Sequence, residues 1–221
     1  ASWDYHRIIR PHYASMPGYA ARIGAAHAAW DALFADIGRS PYVERGAIAL
    51  SHQPGDFADI SARSLAEFGM EHEILAPQDL ARRFPMFETD GLRFALLAQG
   101  GALLSDQIIM GILEWLGARG AIFTPNCRVL ALDEALGRIT TTDGDKQADQ
   151  LIVAAGIGLP QIFPDMQAFA PRRSMVVYAD PPAQWAEAWA NGPCWTGIGG
   201  DDDCWGIPPI GNIPMKLGLG R

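Results

Sequence analysis

Leu151-Ile152-Val153-Ala154-Ala155, closed by Gly156, is the stretch on which the fold class turns. It is short, wholly apolar and carries two β-branched residues, the pattern of a strand covered on both faces rather than one lying against water. Leu159 to Phe163 can start a helix directly after it. Upstream, Ser105 is placed as an N-cap, and Ile108, Ile109, Ile112, Leu113 and Leu116 form one helical stripe ending at Gly117. Between helix and strand lie three strand-like runs, Ala121–Thr124, Arg128–Leu132 and Gly137–Thr142, with Asp143-Gly144 as a hairpin turn. Residues 105–156 therefore predict a parallel-type segment.

Working outward, the flanks read as antiparallel. Apolar or bulky residues at Ala20, Ile23, His27, Trp30, Phe34 and Ile37 mark one face of a helix from about Pro17, with Gly38 past its end. Tyr42–Leu50 is rich in strand formers, with Gly46 as a possible bulge. A helix over Asp56–Phe68, a short strand at Glu73–Leu75, a Pro77-initiated helix to Phe84 and a strand at Leu92–Leu97 follow. From Ser174, strand runs dominate: Ser174–Tyr178, Trp195–Ile198, Cys204–Ile207 and Met215–Leu219. The fold class is α/β in the mixed α+β sense.

The 221 residues, 49% apolar and 19% charged, are enough for a sizeable core and exclude a disordered chain. A formal charge of −8 and a pI near 5.0 argue against a nucleic-acid or anionic-membrane footprint. No apolar run is long enough to span a bilayer. Cys127, Cys194 and Cys204 are odd in number and form no CxxC, so neither a disulfide framework nor a metal site is expected, and a cytoplasmic location is. The chain begins at Ala1 without methionine and stops at Gly220-Arg221 after a Gly-rich apolar stretch, which suggests a piece of something longer.

Three clusters could carry chemistry. His6-Arg7-Ile8-Ile9-Arg10-Pro11-His12-Tyr13 sets two arginines three apart, and arginine suits a bidentate grip on a carboxylate or phosphate. Lys216, in a Gly-rich and otherwise apolar strand, either points to solvent or sits in a polar pocket, and the residues alone favour solvent. Trp205-Gly206-Ile207-Pro208 places an aromatic before a Gly-x-Pro turn. Asp201-Asp202-Asp203 reads as a solvated hairpin tip, and His27 as a core histidine. There is no GxGxxG, GxxxxGK[ST], GxSxG or HExxH.

In order along the chain, these pieces resemble one family. Arg7-Ile8-Ile9-Arg10 with Tyr13, Gly100-Gly101 before a helix, Cys127-Arg128-Val129, Leu151–Gly156, and Trp205-Gly206-Ile207-Pro208 with Lys216 are similar to segments of the sarcosine oxidase and N-methyltryptophan oxidase group. That group lies within the D-amino-acid-oxidase-like FAD-dependent oxidoreductases. Gly220 stands where relatives often carry a histidine, and Trp3 where one commonly precedes the arginine pair.

The resemblance implies FAD as cofactor and part of a Rossmann-like FAD-binding domain (residues 1–40 and 100–166). An antiparallel-sheet substrate domain (41–99 and 167–221) would be interleaved with it. It implies that Arg10 grips a substrate carboxylate, that Arg7 lies near the flavin ring, and that Lys216 promotes flavin reoxidation. Trp205 would line the substrate cavity, and Val129, Ala155 and Gly156 would lie against the cofactor. The implied activity is oxidation of a C–N bond in an amino acid or N-substituted amine by hydride transfer to flavin, with oxygen or another acceptor reoxidising it. A non-catalytic ligand-binding domain lacking the flavin anchors is the alternative.

Overall fold

The structure, a computed structural model, describes residues 4–14, 16–164, 174–198 and 204–219. Two compact units emerge: Leu116–Ser174, and the described residues before and after that span.

The chain opens with β1 (Arg7–Ile9), then α1 (Pro17–Ala20) and α2 (Ile23–Ile37). The single helix expected from Pro17 is thus broken around Arg22, and Gly38 closes it in the left-handed region (φ 69°), its N–H bonded to Ala35 O. Next come β2 (Tyr42–Glu44), β3 (Ala47–Ser51), α3 (Phe57–Glu67), β4 (His72–Leu75), α4 (Pro77–Arg83), β5 (Phe94–Ala98), β6 (Gly101–Leu103) and α5 (Ser105–Gly117). Asp56 caps α3 through the Asp59 N–H at 2.9 Å. The second unit holds β7 (Val129–Asp133), β8 (Arg138–Thr141), β9 (Gly144–Gln147) and α6 (Leu159–Ile162). The chain ends with β10 (Val176–Ala179), α7 (Ala186–Ala190), β11 (Cys194–Trp195), β12 (Cys204–Ile207) and β13 (Met215–Leu219). Helix α7 falls in a region expected to be mostly strand, between two of the strand runs.

The larger unit is built on a seven-stranded sheet, order β10-β13-β12-β11-β3-β5-β4, and a three-stranded sheet, order β1-β6-β2. Pairing is antiparallel except for β11 beside β3. Tyr42–Leu50, read as one bulged strand, is two strands in two sheets. Gly46, at φ 74°, is the crossing point, a conformation that costs glycine little. Gly100-Gly101 makes the return crossing between β5 and β6. A Cβ on Gly101 would stand 2.2 Å from the Val43 carbonyl oxygen, so only glycine admits that approach.

Below one face of the large sheet, Ile48, Leu50, Leu75, Leu80, Trp195 and Met215 form the main core, with Trp189 packed against it. Ile9, Phe34, Leu103 and Ile108 join the small sheet to α2 and α5. Ile8 packs instead with Ala102, Cys194 and Ile207, so alternate residues of β1 serve opposite sides.

The Leu116–Ser174 unit corrects three expectations. Its sheet is the antiparallel meander β7-β8-β9, closed by the predicted turn at Asp143-Gly144. Leu151–Ala155 forms no strand, and Ile152 is 92% exposed. Ala121–Thr124 likewise forms no strand: the Ala121 N–H turns back to the Leu116 carbonyl oxygen at 3.1 Å, and Ile122 is as exposed as Ile152. A doubly covered strand needs hydrogen-bonding neighbours on both edges as well as apolar sequence, and no described residue supplies them. Asp201–Asp203, Trp3 and Gly220 lie outside the described residues.

Candidate active site

Strand alternation decides which way Lys216 faces. On β13, Met215 and Leu217 pack into the main core, so Lys216 and Gly218 share the opposite face. Across the ladders, Lys216 lies opposite Tyr178 of β10 and Ile207 of β12. Trp205 lies opposite Gly218, and a Cβ there would stand 2.4 Å from the indole. The lysine is completely buried: the strand reading favoured solvent, and the structure corrects it to the polar pocket, because the segment leading into β1 covers this face of β13.

That pocket is made by the segment leading into β1. The Lys216 ammonium donates to the Asp4 carboxylate and, at 2.9 Å, to the backbone oxygen of His6. Tyr178 and Arg7 also donate to Asp4, and the Tyr5 N–H does so at 2.9 Å. The Tyr178 and Trp205 rings lie 5.9 and 5.5 Å from the Lys216 nitrogen. The Arg7 side chain remains 43% exposed, so the cluster is open on that side.

Burial alone would raise the Asp4 pKa, but donors from Lys216 and Tyr178, with the charges of Lys216 and Arg7, bring it below the usual carboxylate range. Burial pulls Lys216 below the ordinary lysine value, and Asp4 opposes the fall. Tyr178 is raised by burial and by the adjacent Asp4. These shifts describe a carboxylate anion beside a neutral phenol, with burial and Asp4 pulling the lysine in opposite directions.

Arg10, immediately past β1, is about 13 Å beyond His6 along an extended backbone. Its guanidinium lies 4.9 Å from the Tyr13 ring centre and 5.7 Å from that of Phe57. Tyr13 stacks on Tyr19 at 5.3 Å. Ala14 pins this loop to α3 through Ser61 Oγ at 3.0 Å.

The structure thus brings Arg7, Lys216 and Trp205 together and sets Arg10 at the far end of the same segment. Val129, on β7, and Ala155 and Gly156, at a 3-10 turn, belong to the other unit. Asp4 and Tyr178 were not singled out from the sequence: they lie 174 positions apart, and only a triplet spacing from Arg7 marked Asp4.

Two cavities lie elsewhere in the larger unit. One, of about 980 Å³, is lined by Arg45, His72, Arg83 and Phe84 among others. The other, of about 250 Å³, lies on the core side of the large sheet against Trp189, Trp195 and Met215. The described residues hold no group of three or more His, Cys, Asp or Glu able to bind a metal. The three cysteines are free, and burial raises the Cys194 thiol to about 12. No helix among the described residues is long and apolar enough to cross a membrane.

A large mixed sheet is joined through a glycine pair to a small one, with a buried lysine held against an arginine-bearing strand. The chain belongs to the family of FAD-dependent oxidoreductases designated DAO, which it matches over residues 1–215. The N-methyl-L-tryptophan oxidase of Yersinia pestis (strain Pestoides F) is 25% identical over 215 residues, 96% of this chain and 57% of that protein. The fold is shared with a modified fructosyl peptide oxidase from Aspergillus nidulans: TM-score 0.76, 20% identity, 100% of this chain and 54% of that one. It is also shared with L-proline dehydrogenase from P. horikoshii: TM-score 0.75, 11% identity, 96% and 58%. The chain therefore spans little more than half the length of these proteins.

FAD is the family's cofactor, and the residues present fit its ring. Of the three N–H groups on Lys216, two are directed to Asp4 and His6 O, and the third has no partner among the described residues. A buried, fixed cation with a donor to spare suits a ring that gains negative charge on reduction.

Proposed function

We propose that the chain carries the substrate-binding sheet and part of the cofactor domain of an enzyme that oxidises the C–N bond of an amino acid or N-substituted amine. The fully buried ammonium of Lys216, held beside Arg7 by Asp4, is the observation that carries this reading. FAD, when bound, supplies the two-electron acceptor. The substrate carbon gives up its hydrogen with the bonding pair, the nitrogen lone pair closes the C=N bond of an iminium ion, and loss of the N–H proton to water leaves the imine. Oxygen or another acceptor takes the two electrons onward.

The chain's residues bind and orient. Arg10, its guanidinium beside the Tyr13 and Phe57 rings, would hold a substrate carboxylate by two parallel hydrogen bonds. Lys216 and Arg7 would keep positive charge where negative charge develops. The Trp205 indole would form an apolar wall, and Val129, Ala155 and Gly156 would lie against the remainder of the cofactor.

We assign residues 1–40 and 100–166 to the cofactor domain and 41–99 and 167–221 to the substrate domain. In support, every described strand of the seven-stranded sheet comes from the latter two segments. A small-molecule substrate and a cytoplasmic location, the latter resting on free cysteines, complete the proposal. Neither the fold nor the comparisons favour a non-catalytic domain.

The test is purification of the natural protein and incubation with primary and N-methyl amino acids. Expected are a flavin absorbance spectrum and imine or carbonyl product. A protein that takes up no flavin and oxidises no amine would overturn the proposal.

A further inference from the structure

We propose that Asp4 is the positioning residue of this site, fixing Lys216 in its charged form and locking the ammonium, Arg7 and Tyr178 into one constellation. The inference rests on the flavin reading above and deepens it.

Three observations carry it. First, Lys216 has no contact with water, and a buried ammonium without a counter-ion gives up its proton. The groups facing it are Asp4, His6 and Arg7 from the chain's first strand segment, Tyr178 from β10 and Trp205 from β12. Asp4 is the anion among them, and Arg7 opposes it.

Second, the carboxylate is saturated. Oδ1 accepts from the Tyr178 hydroxyl and the Tyr5 N–H, and Oδ2 accepts from Lys216 and Arg7. Rotation of Asp4 would break at least one of these bonds, so the geometry is over-determined.

Third, two N–H directions on Lys216 are set by Asp4 and His6 O, and tetrahedral geometry then sets the third. Asp4 therefore decides both whether the lysine is charged and where its remaining proton points. It acts through Lys216, since a neutral amine in the same place would be an acceptor and would stabilise no developing anion.

The experiment uses the natural protein with flavin, and reads the Lys216 side chain by lysine-labelled NMR, with Lys216→Arg supplying the assignment. Asp4→Asn should move the Lys216 titration down by about two pH units, and activity should fall above the new midpoint. Tyr178→Phe should leave the midpoint close to its original place. Asp4→Glu keeps the charge and displaces it by one methylene, so the midpoint should hold while kcat falls about tenfold or more at unchanged KM. That variant keeps the question answerable if Asp4→Asn does not fold. A flavin-loaded Asp4→Asn protein with an unmoved midpoint, or an Asp4→Glu protein with undiminished kcat, overturns the positioning role alone. A lowered midpoint in a protein that takes up no flavin overturns the proposed function and the positioning role with it.

Discussion

Lys216 and Asp4 stand 212 positions apart and meet through a hydrogen-bonded ion pair whose cationic partner is wholly buried. The pair is unequal. Without Lys216, Asp4 keeps donors from Tyr178, Tyr5 and Arg7; without Asp4, Lys216 keeps one backbone oxygen and an uncompensated charge. Removing one partner of a buried pair costs about 3–5 kcal/mol when a charge is stranded. Asp4→Asn is therefore expected at that level, and Lys216→Met well below it. Urea unfolding of both variants checks this, and equal losses would contradict the asymmetry.

Arg10 is predicted to act on substrate binding and not on folding. Arg10→Ala should raise KM for a carboxylate-bearing amine by the equivalent of about 2–4 kcal/mol, the range for losing a desolvated charge pair. Arg10→Lys should recover only part of it, because an ammonium cannot reproduce the planar two-bond grip. Steady-state kinetics on an amino acid and on the matching amine without a carboxylate separates the effects, and an unchanged KM removes Arg10 from the site.

What could be read from the chain was local. Gly38, Asp56 and Pro77 each mark a helix end through chemistry confined to one turn, and all three lie at observed helix boundaries, whereas Ser105, expected as an N-cap, is the first residue of α5 and turns its hydroxyl to the Asp4 carbonyl oxygen. Arg7, Arg10 and Lys216 were visible as residue types in unusual company. Asp4 and Tyr178 were not, because an aspartate beside an arginine says nothing until β10 and β13 bring Tyr178 and Lys216 to it. Gly46 shows the same limit, since a bulge and a sheet crossing ask the same φ of one residue. Leu151–Ala155 failed for the converse reason: apolar sequence states a strand's demand for neighbours without providing them.

The two-sheet joint makes a sharp prediction about glycines. Gly101→Ala drives a Cβ onto the Val43 carbonyl oxygen, a backbone atom that cannot step aside, and should destabilise by about 1–3 kcal/mol or more. Gly24→Ala, in α2 with nothing within 4 Å of the new methyl, should stabilise by roughly 0.5–1 kcal/mol through helix propensity. Thermal melts of the two variants should shift in opposite directions.

His12 makes the fold sensitive to acid. It is fully buried, and neither ring nitrogen has a hydrogen-bond partner among the described residues. Burial, reinforced by the charges of Arg10 and His72, lowers its pKa from 6.5 to about 3. Below pH 6.5 the unfolded chain takes up a proton that the folded chain refuses, so the unfolded state gains. The stability is whole above pH 6.5 and declines as pH falls toward 3, by about 1.4 kcal/mol per pH unit at the steepest. His6, also lowered by burial, adds to the slope in the same direction. Asp4 and Asp56, both below the usual carboxylate range, contribute only as pH drops under about 4. Urea midpoints between pH 7 and 4.5 therefore isolate the histidines. His12→Gln should flatten most of that decline, and a curve as steep as the original would show that His12 is not the group responsible.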